Sequence, residues 1–169
     1  MKILAAALLF LIACSFKINA HQLSTAYLNL TKTENEQLVL KGQWQVAVID
    51  LEHVIPFDIN TNDVITWQEI KSQKESILKY LAKHLVVNQN DIGCKLHNEG
   101  DLKIDSHFNE SYIVVPVQIT CPTTQAFTIN YSALFEVDAN HKAIADIANF
   151  SRVFTLSENN QSFDTNSPN

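Results

Sequence analysis

Leu38-Val39-Leu40-Lys41-Gly42-Gln43-Trp44-Gln45-Val46-Ala47-Val48 is the stretch that decides the fold. In an extended chain Leu38, Leu40, Trp44, Val46 and Val48 fall on one side and Lys41, Gln43 and Gln45 on the other, the period-two pattern of a strand with one face in a core. Further along, Tyr112 to Cys121 alternates in the same way through Ile113, Val115, Val117 and Ile119. Pro116 inside it argues for an edge or a bulge, because proline has no N–H to give a ladder. Phe127, Ile129 and Tyr131 open another strand running towards Phe135 and Val137. Weaker strand candidates are Leu23 to Thr31, Ile92 to His97, Leu102 to Phe108 and Ser151 to Leu156. One helix is expected, from about Trp67 to Val87, with Trp67, Ile70, Ile77, Leu81 and Leu85 at helical spacing and Lys71, Lys74, Lys79 and Lys83 mostly outward. The expected fold is therefore α+β: a mainly antiparallel, sandwich-like β-sheet structure with one long amphipathic helix following an EF-hand-like loop.

The chain of 169 residues, 46% hydrophobic with only 3 Gly, is long enough to bury a core and suits one domain. Its 18 Asp and Glu outweigh 12 Lys and Arg, for a formal charge of −6. Such a chain has no basic surface for a phosphate backbone, so nucleic acid is excluded as a partner. Met1-Lys2, the apolar run Ile3 to Phe16 and Lys17-Ile18-Asn19-Ala20 have the charged start, short hydrophobic middle and small residue at the cut of a secretory signal peptide. Residues 1–20 are read as that signal, 21–156 as a single exported α+β domain and 157–169, which lacks periodicity, as a disordered tail. Leu11-Ile12-Ala13-Cys14 also fits a lipobox, which would make Cys14 a lipid anchor. After Ala20 no apolar run approaches the eighteen or so residues needed to span a bilayer, so no transmembrane helix is expected in the mature chain.

Export changes how the cysteines read. Cys14 leaves with the signal, and Cys94 and Cys121 remain as an even pair in an oxidising compartment, where a disulfide between them is the default.

One loop carries recognisable chemistry. Asp58-Ile59-Asn60-Thr61-Asn62-Asp63-Val64-Ile65-Thr66-Trp67-Gln68-Glu69 fits the twelve-residue EF-hand calcium loop at nearly every informative place. Calcium takes six or more hard oxygens, and side chains at places 1, 3 and 5 converge when the chain coils around the ion. Asp58, Asn60 and Asn62 fill those places, Val64 offers its carbonyl at place 7, Thr66 its oxygen or a bridging water at place 9, and Glu69 a bidentate carboxylate at place 12. Place 6 departs from the pattern: Asp63 stands where glycine is usual, in a turn that demands positive φ. Only Asp58 and Glu69 are anionic ligands, so the expected dissociation constant lies near the weak, extracellular end of about 10⁻⁴ to 10⁻³ M. Pro56 interrupts any entering helix. The alternative reading is an Asn/Asp-rich turn that caps the helix, with Asn62, Asp63 or Thr66 as N-cap and Glu69 completing a capping box after Thr66.

The histidines His21, His53, His84, His97, His107 and His141 are scattered, with no pair at ligand spacing. His21, as a mature N-terminus, would offer both its amine and its ring to Cu²⁺ or Ni²⁺, an alternative metal site. There is no Gly-rich phosphate loop, nucleophile elbow or Ser/His/Asp signature, so no catalytic residue is assigned and enzyme activity is not expected.

Several short stretches follow a known pattern: His21-Gln22-Leu23-Ser24-Thr25-Ala26-Tyr27-Leu28 after a signal, Gly42-Gln43-Trp44 in a strand ending Asp50-Leu51, the loop Asp58 to Glu69, Cys121-Pro122, and Tyr131-Ser132-Ala133-Leu134-Phe135. Together they resemble the extracytoplasmic N-terminal region of the HupE/UreJ-like family of bacterial membrane proteins, over about residues 1–156. The resemblance implies the periplasm of a Gram-negative bacterium and an accessory role, since family members are associated with hydrogenase or urease accessory functions and with proposed nickel transport. The family continues into several transmembrane helices that bear the His and Asp residues assigned to metal passage, and this sequence stops at Asn169 without them. What the resemblance implies here is a periplasmic, non-enzymatic accessory or interaction module that partners a permease-like membrane protein. If the family's loop binds Ca²⁺, Asp58, Asn60, Asn62, Thr66 and Glu69 carry over, and Asp63 is the departure.

Overall fold

The computed structural model describes residues 24–34, 36–107, 110–148, 150 and 153–166. The expectations for the signal peptide, the Cys14 lipobox and the His21 metal site lie outside these residues. Along the chain run β1 (Thr25–Glu34), β2 (Leu38–Ala47), α1 (Val48–Glu52), α2 (Trp67–Ser72), α3 (Lys74–His84), β3 (Leu85–Gln89), β4 (Ile92–Gly93), β5 (Lys95–Asn98), β6 (Lys103–His107), β7 (Glu110–Cys121), β8 (Thr128–Tyr131), β9 (Lys142–Ala148), β10 (Phe154–Ser157) and β11 (Ser162–Asp164).

The larger sheet is centred on β2, which pairs antiparallel with β1 on one side and with β7 on the other. Leu38, Leu40, Trp44 and Val46 are all buried, as the alternation requires. Beyond β1 the order continues to β9 and β10. The β1–β9 pair is parallel, with Thr25 opposite Lys142, so the sheet is mixed although mainly antiparallel. β5 and β6 share the far edge of β7, β5 along Val117–Thr120 and β6 along Glu110–Val114. Pro116 sits in the gap between them rather than at an edge or bulge of the sheet. Its carbonyl accepts from Glu99 N at 3.0 Å and Asn98 Nδ2 at 2.9 Å, so its missing N–H faces the place where the ladder is already interrupted.

A smaller sheet has the order β11-β8-β3-β4. The inner residues of both sheets and of α3, among them Trp44, Val115, Ile77, Leu81, Val87 and Ile129, belong to one buried cluster. A Cys94–Cys121 disulfide fixes the point where the chain leaves β4 in the small sheet for β5 in the large one, as expected for the cysteine pair.

Three expectations are corrected. The single helix over Trp67 to Val87 is two helices followed by a strand: Gln73 leaves helical geometry at φ −94° and ψ 12°, and α3 ends at His84. Leu85-Val86-Val87 then runs extended, with Leu85, Val87 and Gln89 buried and Val86 exposed. β-Branched valines favour a strand where a partner is available, and β8 supplies it through Leu85 opposite Tyr131 and Val87 opposite Ile129. The expected strand through Phe135 and Val137 stops at Tyr131, because Ser132 to Asp138 folds into a turn with Leu134 at φ 68°. The expected disordered tail, 157–169, is ordered over its described residues, 157–166. β11 pairs with β8, Phe163 stacks on Phe154 at 3.7 Å between ring centres, and Thr165 N donates to Phe127 O at 3.0 Å. A polar sequence such as this gains order here from the open edge of β8 and from one aromatic anchor. Among the described residues no helix is long and apolar enough to cross a membrane.

Candidate functional site

The Asp58–Glu69 segment is a coil that closes on itself. Asp58 at place 1 accepts the backbone N–H of Asn62 on Oδ1 at 3.1 Å and of Asp63 on Oδ2 at 2.8 Å, and Asn62 Oδ1 accepts from Val64 N at 2.9 Å. This wraps the chain around the first carboxylate. Asp63 takes φ 62° and Thr61 takes φ 57°, so the turn at place 6 has the left-handed backbone that glycine usually provides. Across the ring, Asn60 Nδ2 donates to Glu69 Oε1 at 2.6 Å, which brings places 3 and 12 into contact. Turning the Asn60 amide over would present its carbonyl oxygen in the same position.

Glu69 also belongs to a complete capping box. Its N–H donates to Thr66 Oγ1 at 3.3 Å, while Thr66 N and Thr66 Oγ1 donate to Glu69 Oε2 at 2.9 and 2.7 Å. These bonds, the Thr66 hydroxyl first, hold the Glu69 carboxyl below the usual carboxylate range against the opposing charge of Asp58. The sequence patterns of ion loop and helix cap are therefore both present in the same atoms. Ile65 packs against the core and pins the loop. Val64 and Ile59 are exposed, and Trp67 is 37% exposed with the Lys71 ammonium 5.7 Å above its ring. No entering helix adjoins the loop: α1 ends at Glu52, whose carboxylate accepts from Phe57 N at 2.6 Å. Among the described residues no group of three His, Cys, Asp or Glu side chains converges as metal ligands. At its ligand places the loop offers two carboxylates, Asp58 and Glu69, with amides, a hydroxyl and a backbone carbonyl for the rest.

Four of the remaining histidines are exposed or half-buried. His84, at the end of α3, has Nδ1 2.9 Å from Ser132 Oγ and Nε2 3.9 Å from Glu136 Oε1. Sequence reading did not bring these together, since 48 residues separate His84 from Ser132. The row of hydroxyl, imidazole and carboxylate is a clamp rather than a charge-relay triad. At 3.9 Å the carboxylate makes no hydrogen bond to the ring, and its Oε1 already accepts from the Tyr80 hydroxyl at 2.8 Å. The Tyr80 oxygen in turn accepts from Leu134 N at 2.8 Å, which holds the left-handed turn in place, and burial drives the Tyr80 hydroxyl well above its usual range. His107 Nε2 is 2.8 Å from the buried Gln45 Oε1, and His53 and His97 are exposed. His141 alone is fully buried, and burial pushes its imidazole down to about 4. Among the described residues every buried side-chain nitrogen or oxygen has a partner.

No family model matches this chain, and no curated protein matches it.

Proposed function

We propose that this protein is a non-enzymatic, exported accessory module, two sheets in a sandwich-like arrangement, whose Asp58–Glu69 loop takes Ca²⁺ as a structural ion and which partners a permease-like membrane protein in the periplasm. One observation carries the calcium part of this reading: the loop is coiled, with Asp63 left-handed at place 6 and the side chains of places 3 and 12 in contact. The loop's own hydrogen bonds to Asp58 and Asn62 hold this coil, which lowers the ordering that an ion has to impose. Two anionic ligands make the site weak, which suits millimolar extracytoplasmic calcium. The accessory role rests on the sequence resemblance and on the lack of a catalytic constellation in the sequence.

Thermal unfolding of the chain in millimolar Ca²⁺ and in chelator, for wild type and Glu69→Gln, tests the reading. At calcium tenfold above its dissociation constant the native state gains about 1.4 kcal/mol, and the midpoint rises by roughly 3 to 6 °C. Equal midpoints for the wild type in the two conditions reduce the loop to a helix cap. Co-purification with a permease-like membrane protein tests the partner independently.

A further inference from the structure

Ser24 precedes β1, and its side chain turns inward. Its Oγ lies 2.8 Å from Asp50 Oδ2 on α1 and 2.5 Å from Nδ1 of His141, the residue before β9. On the other side of that ring His141 Nε2 is 3.3 Å from the Tyr131 hydroxyl on β8, which is 3.4 Å from Trp44 Nε1 on β2. Five parts of the chain thus meet along one row of polar atoms. The proton positions follow from chemistry. An indole N–H only donates, so the Tyr131 oxygen accepts from Trp44 and turns its own O–H towards His141. Nε2 must then be the bare nitrogen, the ring carries its proton on Nδ1, that proton goes to Ser24 Oγ, and the Ser24 O–H goes to the Asp50 carboxylate. Only a neutral His141 protonated at Nδ1 satisfies all four bonds, with Asp50 Oδ2 as the last acceptor.

We propose that this row is an acid-sensitive latch: it fastens the start of β1 to the core while His141 is neutral and releases it when His141 takes up a proton. A cationic imidazole donates from both nitrogens. Nε2–H and the Tyr131 O–H would then point at each other, and Tyr131, already accepting from Trp44, has no other acceptor along the row. The charged groups around the ring are Asp138 and Glu136 in the turn after β8, which favour the cation, and Lys142 on β9, which opposes it. Asp50 is reached through Ser24 and is itself faced by His53 and Asp138. Burial outweighs these charges and keeps the ring neutral at pH 7. The latch stands where the fold needs one. The Ser24 carbonyl accepts from Lys142 N at 3.0 Å, and from there β1 and β9 run parallel with no turn to set their register.

Two measurements on the ¹⁵N-labelled full chain test this. Long-range proton–nitrogen spectra at pH 7.5 should find the His141 proton on Nδ1. Amide exchange, corrected for the intrinsic rate, should show β1 and β9 losing protection by on the order of a hundredfold between pH 7 and pH 4 while β2 and β7 hold theirs. His141→Gln, which can accept from Tyr131 and donate to Ser24 without titrating, should remove that loss. Should this variant not fold, Tyr131→Phe serves: deprived of its donor at Nε2, His141 should titrate at higher pH than in the wild type. A proton on Nε2 at neutral pH, an equal loss of β1 and β9 protection in His141→Gln, or an unmoved titration in Tyr131→Phe overturns the latch.

Discussion

At Thr66 and Glu69 the side chains that cap α2 are the ones an ion would need, and substitution separates the two duties. Thr66→Ala removes the hydroxyl that accepts from Glu69 N, so in chelator it should lose about 0.5 to 2 kcal/mol of stability by urea unfolding. Glutamine at position 69 still completes a capping box, so Glu69→Gln should stay close to wild type in chelator. Under the calcium proposal the ranking should reverse: Glu69→Gln should lose the calcium-dependent gain, for want of the bidentate carboxylate, whereas Thr66→Ala should keep most of it. Retention of the full gain in Glu69→Gln would make Glu69 a cap and not a ligand. The Glu69 carboxyl is held low, so its part of the cap is complete above the ordinary carboxylate range and fades as pH falls through its folded value. These residues were legible in sequence because all lie within twelve positions. Ser24 and His141, which lie 117 positions apart, were not, because nothing local signals a pairing across that distance.

Among the elements, the β1–β2 pair depends on one missing side chain. A Cβ at Gly42 would stand 1.9 Å from the Asn29 carbonyl oxygen and 2.9 Å from Leu30 Cα, both backbone atoms of β1 that cannot swing aside. Gly42→Ala should therefore push β1 off β2 and destabilise by roughly 1 to 3 kcal/mol, read as a lower urea midpoint, although alanine is no worse a strand former. A midpoint equal to wild type would mean that β1 relaxes freely. Strands such as β2 and β7 were readable because one face is buried and the other is not, which writes the period into the sequence. β9 was missed: in Lys142-Ala143-Ile144-Ala145-Asp146-Ile147-Ala148 two of the three buried places, Ala143 and Ala145, are alanines, and Ile144 stands on the other face, which weakens the signal. The helix over Trp67 to Val87 was overextended because Leu81 and Leu85 also satisfy helical spacing. Only the pairing of Leu85 and Val87 with β8, a tertiary contact, turns that segment into a strand.

For the molecule as a whole, stability rests on two long-range fasteners that respond to different conditions. The Cys94–Cys121 bond spans a sequence separation of 27 where the chain passes between the sheets, and loop-closure reasoning gives it roughly 3 to 4 kcal/mol. Reduction, or replacement of Cys94 and Cys121 by alanine, should lower the unfolding free energy by that amount, and neither of these two cysteines should label in the unreduced, unfolded chain. The second fastener responds to acid. His141 titrates near 6.5 in the unfolded chain and near 4 in the folded one, so between those values the unfolded chain holds more protons and stability drops as pH falls. The contribution is whole above about pH 6.5 and, at 1.36 kcal/mol per tenfold change in proton affinity, roughly 3 kcal/mol is gone by pH 4 and below. Asp50 acts with the opposite sign, because burial raises its carboxyl above 3.8 and folding then favours the protonated acid, which offsets part of the loss at the acid end. Urea midpoints measured from pH 7 to pH 4 should therefore fall in the wild type with most of the slope above the Asp50 range. In His141→Gln the same curve should be nearly flat down to the carboxylate region. Parallel curves for the two proteins would place the acid sensitivity in the carboxylates and leave His141 a passive part of the core.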